Sequence, residues 1–170
     1  REKFNWILGL IINLLRSIPF LILLVMVLPI TRAIVGTTIG SNATIVPLVI
    51  AAAPFIARLV ESSLKEVSKG VIEAAQSMGA SSMQIITKVL LPEARPSLIV
   101  GGAIAVTTIL SYSAMAGFVA GGGLGDIAIR YGYHRYQTDI MLVTVVLLVV
   151  IVQVLQEAGM KLARIGDKRK

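Results

Sequence analysis

The chain has 170 residues, 56% of them hydrophobic and only 15% charged, with no cysteine and a formal net charge of +7. Soluble domains carry charge on roughly a quarter of their residues, so this composition, with a mean hydropathy of +0.86, excludes one. The positive balance would point to nucleic acid in a soluble chain, but its distribution along this one points elsewhere, and the lack of cysteine leaves the redox compartment open.

A basic lead, Arg1 and Lys3, precedes a first predicted span over about residues 6–30, apolar apart from Asn13 and Arg16. Arg16-Ser17-Ile18-Pro19 predicts an interruption and a kink, because proline removes a backbone donor. Residues 31–42, with Gly36 and Gly40, read as an outer loop. A second span over 43–60 carries Pro47 and Pro54 around Ala51-Ala52-Ala53, which predicts a bent helix held by its neighbours. The segment 61–97 is long for a hairpin connection and predicts two short helices, near 61–67 and 70–79. A third span, 98–118, contains no charge, and a glycine-rich outer loop follows over 117–136. The fourth span, 139–157, leads into a basic tail at 161–170. These stretches approach the roughly 20 residues a helix needs to cross the hydrocarbon core. A barrel would need short alternating segments, which are missing. The expected fold class is an all-α membrane protein with four spans in residues 1–160.

Charge sets the expected orientation. Arg1, Lys3, Lys65, Lys69, Lys88, Arg95, Lys161, Arg164, Lys168, Arg169 and Lys170 fall on one side, and only Arg32, Arg130 and Arg135 on the other. Arg16 and Arg58 lie within or at the end of spans. By the positive-inside rule both termini and the 61–97 loop are cytoplasmic.

Residues 73–92 read EAAQSMGASSMQIITKVLLP. Small residues at 74, 75, 79 and 80 leave a low face that another protein can cover closely. Gly79 permits a turn that a side chain would hinder, and Pro92 predicts a break before the next span. The alternative is an ordinary amphipathic connector. Glu73, Ala74, Ala75, Gly79, Leu91 and Pro92 resemble the EAA loop of permease subunits of bacterial ABC importers. One departure is Val89, where the family usually has isoleucine. The resemblance implies that this loop forms a cytoplasmic coupling helix docked into an ATPase subunit.

Ser111-Tyr112-Ser113-Ala114-Met115-Ala116-Gly117 runs on to Gly121-Gly122-Gly123-Leu124-Gly125-Asp126 and Arg130-Tyr131-Gly132-Tyr133. The cluster is no phosphate loop, since GxxxxGK[ST] occurs nowhere. By physics alone it reads as a flexible outer loop. Together with Arg16-Ser17-Ile18-Pro19 and the 73–92 segment, however, the stretch is similar to the permease of the bacterial methionine importer over nearly all of the chain. That resemblance implies a type I ABC importer permease-like bundle. The family has about five spans, and its first has no counterpart here, so a chain lacking that helix is expected. It further implies a multi-pass protein of the bacterial inner membrane and a second permease copy around a central path. The other implied partners are an ABC ATPase subunit that binds ATP and Mg, and an outer substrate-binding lipoprotein. Arg16, Ser17, Pro19, Tyr112, Ser113 and Met115 are the candidate path residues. No catalysis, cofactor or nucleic acid is expected of this chain.

Other residues leave alternatives open. Arg16, a cation inside an apolar stretch, is either functional or snorkels to the interface. His134 has no cysteine or second histidine for a metal site. Asp126 and Asp139 read as loop solvation or helix caps rather than acid–base groups. Gly101 with Ala105, and Ser113 with Gly117, permit close helix packing and weakly favour a dimer interface. Two rival functions remain. An ion-coupled secondary transporter would place carboxylates inside its spans, and the three most apolar spans have none. An intramembrane hydrolase would need Ser111 or Ser113 within reach of His134.

Overall fold

The computed structural model describes residues 2–166. Arg1 and residues 167–170, the end of the expected basic tail, lie outside them. Every regular element among the described residues is helical. The order is α1 (Glu2–Ser17), α2 (Phe20–Met26), α3 (Leu28–Val35), α4 (Ser41–Lys65), α5 (Lys69–Ser77), α6 (Ser82–Gln84), α7 (Leu91–Met115), α8 (Gly123–Ile127) and α9 (Thr138–Gly166). Wide π-helical turns at Ile85–Leu90 and Ala128–Tyr133 and a 3₁₀ turn at Ala116–Val119 join some of them.

Three helices are long and apolar enough to cross a membrane: Ser41–Lys65, Ser82–Val119 and Thr138–Arg164. A fourth crossing exists if α1 and α2 together count as one. The interruption expected at Arg16–Pro19 is there, but it is no mere kink, because α1 and α2 meet at 103°. Pro19 begins α2 with an extended backbone, φ −57° and ψ 136°. The Ser17 hydroxyl donates to Asn13 O at 2.8 Å in the last turn of α1. The outer loop expected over 31–42 also shrinks, since α3 occupies its first part and ends at Gly36 in the left-handed region.

The break expected at Pro92 is absent. Helix is continuous from Ser82 to Val119, with Pro92 in the first turn of α7. The π-helical turn immediately upstream absorbs the missing donor and the bulk of the ring, which would otherwise end the helix. Pro47 and Pro54, both buried, sit within an unbroken α4.

Helix α7 is central, packed against α4 on one side and α9 on another. The interior is made largely of small residues, among them Ala43, Ala52, Ala94, Gly101, Ala105 and Ala116, which let backbones approach where lipid supplies no hydrophobic drive between helices. A Cβ on Gly101 would lie 3.7 Å from Leu59 Cβ and 3.8 Å from Ser63 Oγ. The Gly101–Ala105 face of α7 therefore serves packing within the chain, and Gly117 packs against α8, while Ser113 of the second stripe stays exposed. The branched side chains of α9, such as Leu142, Val146 and Val154, are exposed, as suits a helix facing acyl chains.

The glycine-rich segment 117–136 folds back as packed helical turns instead of a flexible loop. A Cβ on Gly117 would come within 2.7 Å of the Gly125 carbonyl, and one on Gly125 would collide with the Ala114 backbone. Ser41 Oγ donates to Gly121 O at 2.8 Å, tying the segment to the start of α4.

Candidate functional site

The 73–92 segment forms a compact exposed knuckle. Helix α4 ends at Lys65, the three residues Glu66–Ser68 turn the chain with Val67 buried, and α5 begins. On α5, Ala75 faces inward toward the π-helical turn, where Ile85 is buried. Glu73 and Ala74 are exposed, and so are Met78, Met83 and Ile86 nearby. Helix α5 closes at Gly79 with φ +77°. Gly79 N donates to Gln76 O at 2.9 Å and Ala80 N to Ala75 O at 3.1 Å, the paired bonds of a Schellman cap. Nothing in the chain lies within 4 Å of a Cβ built on Gly79, so glycine is required here by backbone conformation and not by crowding inside the subunit. Leu91 and Pro92 are exposed at the start of α7.

Immediately after Gly79, Ser81 opens the next helix with a capping box. Its hydroxyl accepts from Gln84 N at 3.4 Å, and its N–H donates to Gln84 Oε1 at 2.8 Å. This device was readable as the S-x-x-Q spacing but was missed in the sequence. The reversal between α5 and the long third helix is thus specified at both ends.

A second feature lies at the α1–α2 break. A cleft of about 180 Å³ is lined by Leu15, Arg16, Ile18, Phe20, Leu23, Ala51, Phe55 and Tyr112. Phe20 and Tyr112 stack in parallel with ring centroids 4.6 Å apart. Of the expected path residues, Arg16 and Tyr112 meet here, with Ser17 and Pro19 in the adjoining turn. Met115 does not. It lines a separate apolar cleft of about 350 Å³ with Phe118, Ile129 and Leu148. Ser113 is exposed and lines neither of these two clefts.

Arg58 is a structural residue that the sequence did not single out for this role. From α4 its guanidinium donates to Glu61 at 2.6 Å, to Asn13 Oδ1 at 2.9 Å and to Gly9 O at 3.5 Å, clamping α1 onto α4. Asn13 and Arg58 are polar interruptions of apolar runs, which was the available signal, but pairing them needs the fold. Ser111 donates within its own helix to Thr107 O at 3.0 Å, while His134 lies edge-on to Tyr133. Among the described residues, no three His, Asp or Glu side chains converge as metal ligands would.

Comparison with known proteins follows the same lines. The profile of the family described as "Binding-protein-dependent transport system inner membrane component" matches residues 1–161. The chain is 58% identical over 165 residues to the probable D-methionine transport system permease protein MetI of Vibrio cholerae, covering 97% of this chain and 73% of that one. It is 46% identical over 165 residues to the methionine import system permease protein MetP of Bacillus subtilis, at 97% and 74% coverage. Among solved structures, a chain of the MetNI methionine ABC transporter in an inward-facing conformation superposes with a TM-score of 0.95. The identity is 50%, covering 98% of this chain and 77% of that one. With its apolar helices, its fold and a match of this extent, the chain is a multi-pass membrane protein that belongs to the family of binding-protein-dependent transport system inner membrane components.

Proposed function

We propose that this chain is the permease subunit of an ATP-driven importer that brings methionine across the inner membrane by alternating access. The observation that carries the reading is the exposed α5 knuckle, fixed by the Gly79 cap and joined at both ends to spanning helices. An ATPase docked on Glu73, Ala74, Gly79 and the exposed Met78 moves α5. The short connections and the buried Val67, Ala75 and Ile85 pass that movement into α4 and into the long helix from Ser82. At the helical rise per residue, Tyr112 lies roughly 45 Å farther along that helix, so a small tilt at the knuckle becomes a large displacement beside the cleft.

In this reading the chain performs no catalysis. ATP and Mg are held by the ATPase, a second permease copy completes the path, and an outer binding lipoprotein delivers the substrate. The 61–97 loop and the C-terminus are cytoplasmic, and Arg16, Ser17, Pro19 and Tyr112 border the path. Methionine enters through the names of the relatives at 58% and 46% identity. The test is reconstitution of the full-length permease with its ATPase and binding protein in liposomes. ATP-dependent methionine uptake is expected, with Glu73→Ala lowering ATPase retention only mildly, since an exposed charge is worth about a kilocalorie or less. ATP-driven uptake without methionine among the transported solutes would refute the substrate, and ATPase activity of the isolated permease would refute the division of labour.

A further inference from the structure

We infer that Arg16 is the anchor for the substrate's α-carboxylate, holding a zwitterionic amino acid with its apolar side chain laid toward Phe20 and Tyr112. The inference rests on the importer reading and adds to it a binding residue. Arg16 lies in the last turn of α1, at the 103° break, and lines the cleft whose other walls include Ile18, Leu23 and Phe55. Among the described residues its guanidinium has neither a hydrogen bond nor an ion pair. No carboxylate lines this cleft, and Glu61 farther along α4 is shared between Arg58 and Lys65, at 2.6 and 2.7 Å. Arg16 is an exposed cation that interrupts an otherwise apolar stretch of α1, where an ionised side chain in a membrane helix marks a functional position, and a guanidinium matches a carboxylate through two parallel hydrogen bonds.

The rest of the cleft fits such a ligand. Its volume of about 180 Å³ equals the liquid share of roughly six waters, the scale of one small amino acid. Phe20 is buried and stacked against Tyr112, whose half-buried ring leaves an aromatic edge at the cleft that can take an aliphatic or thioether chain. The last carbonyls of α1 lack helical partners and carry partial negative charge, which suits the ammonium group beside the carboxylate. A neutral solute would leave Arg16 uncompensated, and an anion without an apolar tail would leave the aromatic wall unused.

The experiment measures radiolabelled methionine binding to the full-length permease–ATPase complex in lipid nanodiscs, competed by unlabelled methionine or methioninamide. In the unsubstituted complex the amide should compete at least about tenfold more weakly than the acid, the scale of one charge-assisted hydrogen bond. Arg16→Gln should weaken methionine binding to the level of the amide and bring the acid-to-amide ratio near one, whereas Arg16→Lys should keep most of the preference for the acid. An amide that competes as well as the acid in the unsubstituted complex overturns the inference, even if Arg16→Gln fails to assemble. So does Arg16→Gln with its preference intact. ATP-driven uptake by the unsubstituted importer is scored separately, so an importer that transports methionine without this preference refutes the anchor alone.

Discussion

Gly79 offers the sharpest test of how the coupling knuckle works, because the structure separates two reasons for a glycine. Its φ of +77° lies in the left-handed region, where an ordinary L-residue costs roughly 1–2 kcal/mol and asparagine is better tolerated. A Cβ at this position meets nothing within 4 Å, so the subunit itself imposes no steric term. Gly79→Leu should therefore shift the balance between the capped turn and alternative turns by about 5- to 30-fold, since about 1.4 kcal/mol is a factor of ten. The bonds at risk are those from Gly79 N to Gln76 O and from Ala80 N to Ala75 O. The assay is co-purification of the ATPase with the full-length permease, alongside methionine uptake in liposomes. Gly79→Leu should insert normally, release much of its ATPase and lose uptake, while Gly79→Asn should retain most of both. If Gly79→Asn loses as much as Gly79→Leu, the glycine serves close approach by the ATPase and the conformational argument is wrong. Full ATPase retention and full uptake in Gly79→Leu would remove the knuckle from the coupling mechanism altogether.

Arg58→Met should lower the thermal midpoint of the solubilised permease, because Asn13 Oδ1, Gly9 O and Glu61 lose their shared donor. Lys65→Met removes only an exposed i,i+4 partner and should fall within about 0.5 kcal/mol of the unsubstituted protein; equal effects from the two would refute the clamp. Gly125→Ala should destabilise by about 1–3 kcal/mol or more through overpacking against Ala114, while Gly102→Ala, with open space around its Cβ, should be neutral or mildly stabilising. A tolerated Gly125→Ala would contradict the close packing of the outer segment. For orientation, single cysteines at Met78 and Tyr133, both well exposed, should differ toward a membrane-impermeant thiol reagent in intact cells. Labelling is expected at Tyr133→Cys only, and labelling at Met78→Cys alone would invert the proposed topology.

Local rules carried the sequence reading where local physics decides. Gly79 ends α5 because a left-handed cap is set by a few neighbouring residues. The three long apolar helices were visible because their runs are long and nearly free of charge. The misreadings are those in which the partner of a residue lies far along the chain. Proline at 92 predicts a stop from its own chemistry, yet the π-helical turn at Ile85–Leu90 carries the helix past it. Glycines at 117, 121 and 125 look like a loop until α7, α8 and the start of α4 are brought together. A kink at Pro19 could be anticipated, but a 103° bend depends on Phe20 and Leu24 finding a buried place beside Leu48, Ala51 and Tyr112. At the cleft, Arg16 and Tyr112 are separated by 96 positions in the chain, and nothing in either local sequence announces the other.

Two arginines that interrupt apolar stretches have taken opposite paths, and the first sets up the second. Arg58 is fully engaged: its guanidinium bridges Glu61 on its own helix and Asn13 and Gly9 on α1. Its charge is occupied in holding two helices together. Asn13 accepts at two atoms, its side-chain oxygen from Arg58 and its backbone oxygen from the Ser17 hydroxyl. Arg16 stands three residues beyond Asn13, on the same face of α1. The end of α1 is thus held by Arg58 through Asn13 and closed by Ser17, and the unpaired Arg16 is carried on that fixed end to the edge of the cleft. A cation kept unpaired loses less to side-chain ordering when its helix is already immobilised. The clamp at Arg58 therefore does more than stabilise the fold. It presents the one arginine at the cleft in a geometry that a carboxylate can use.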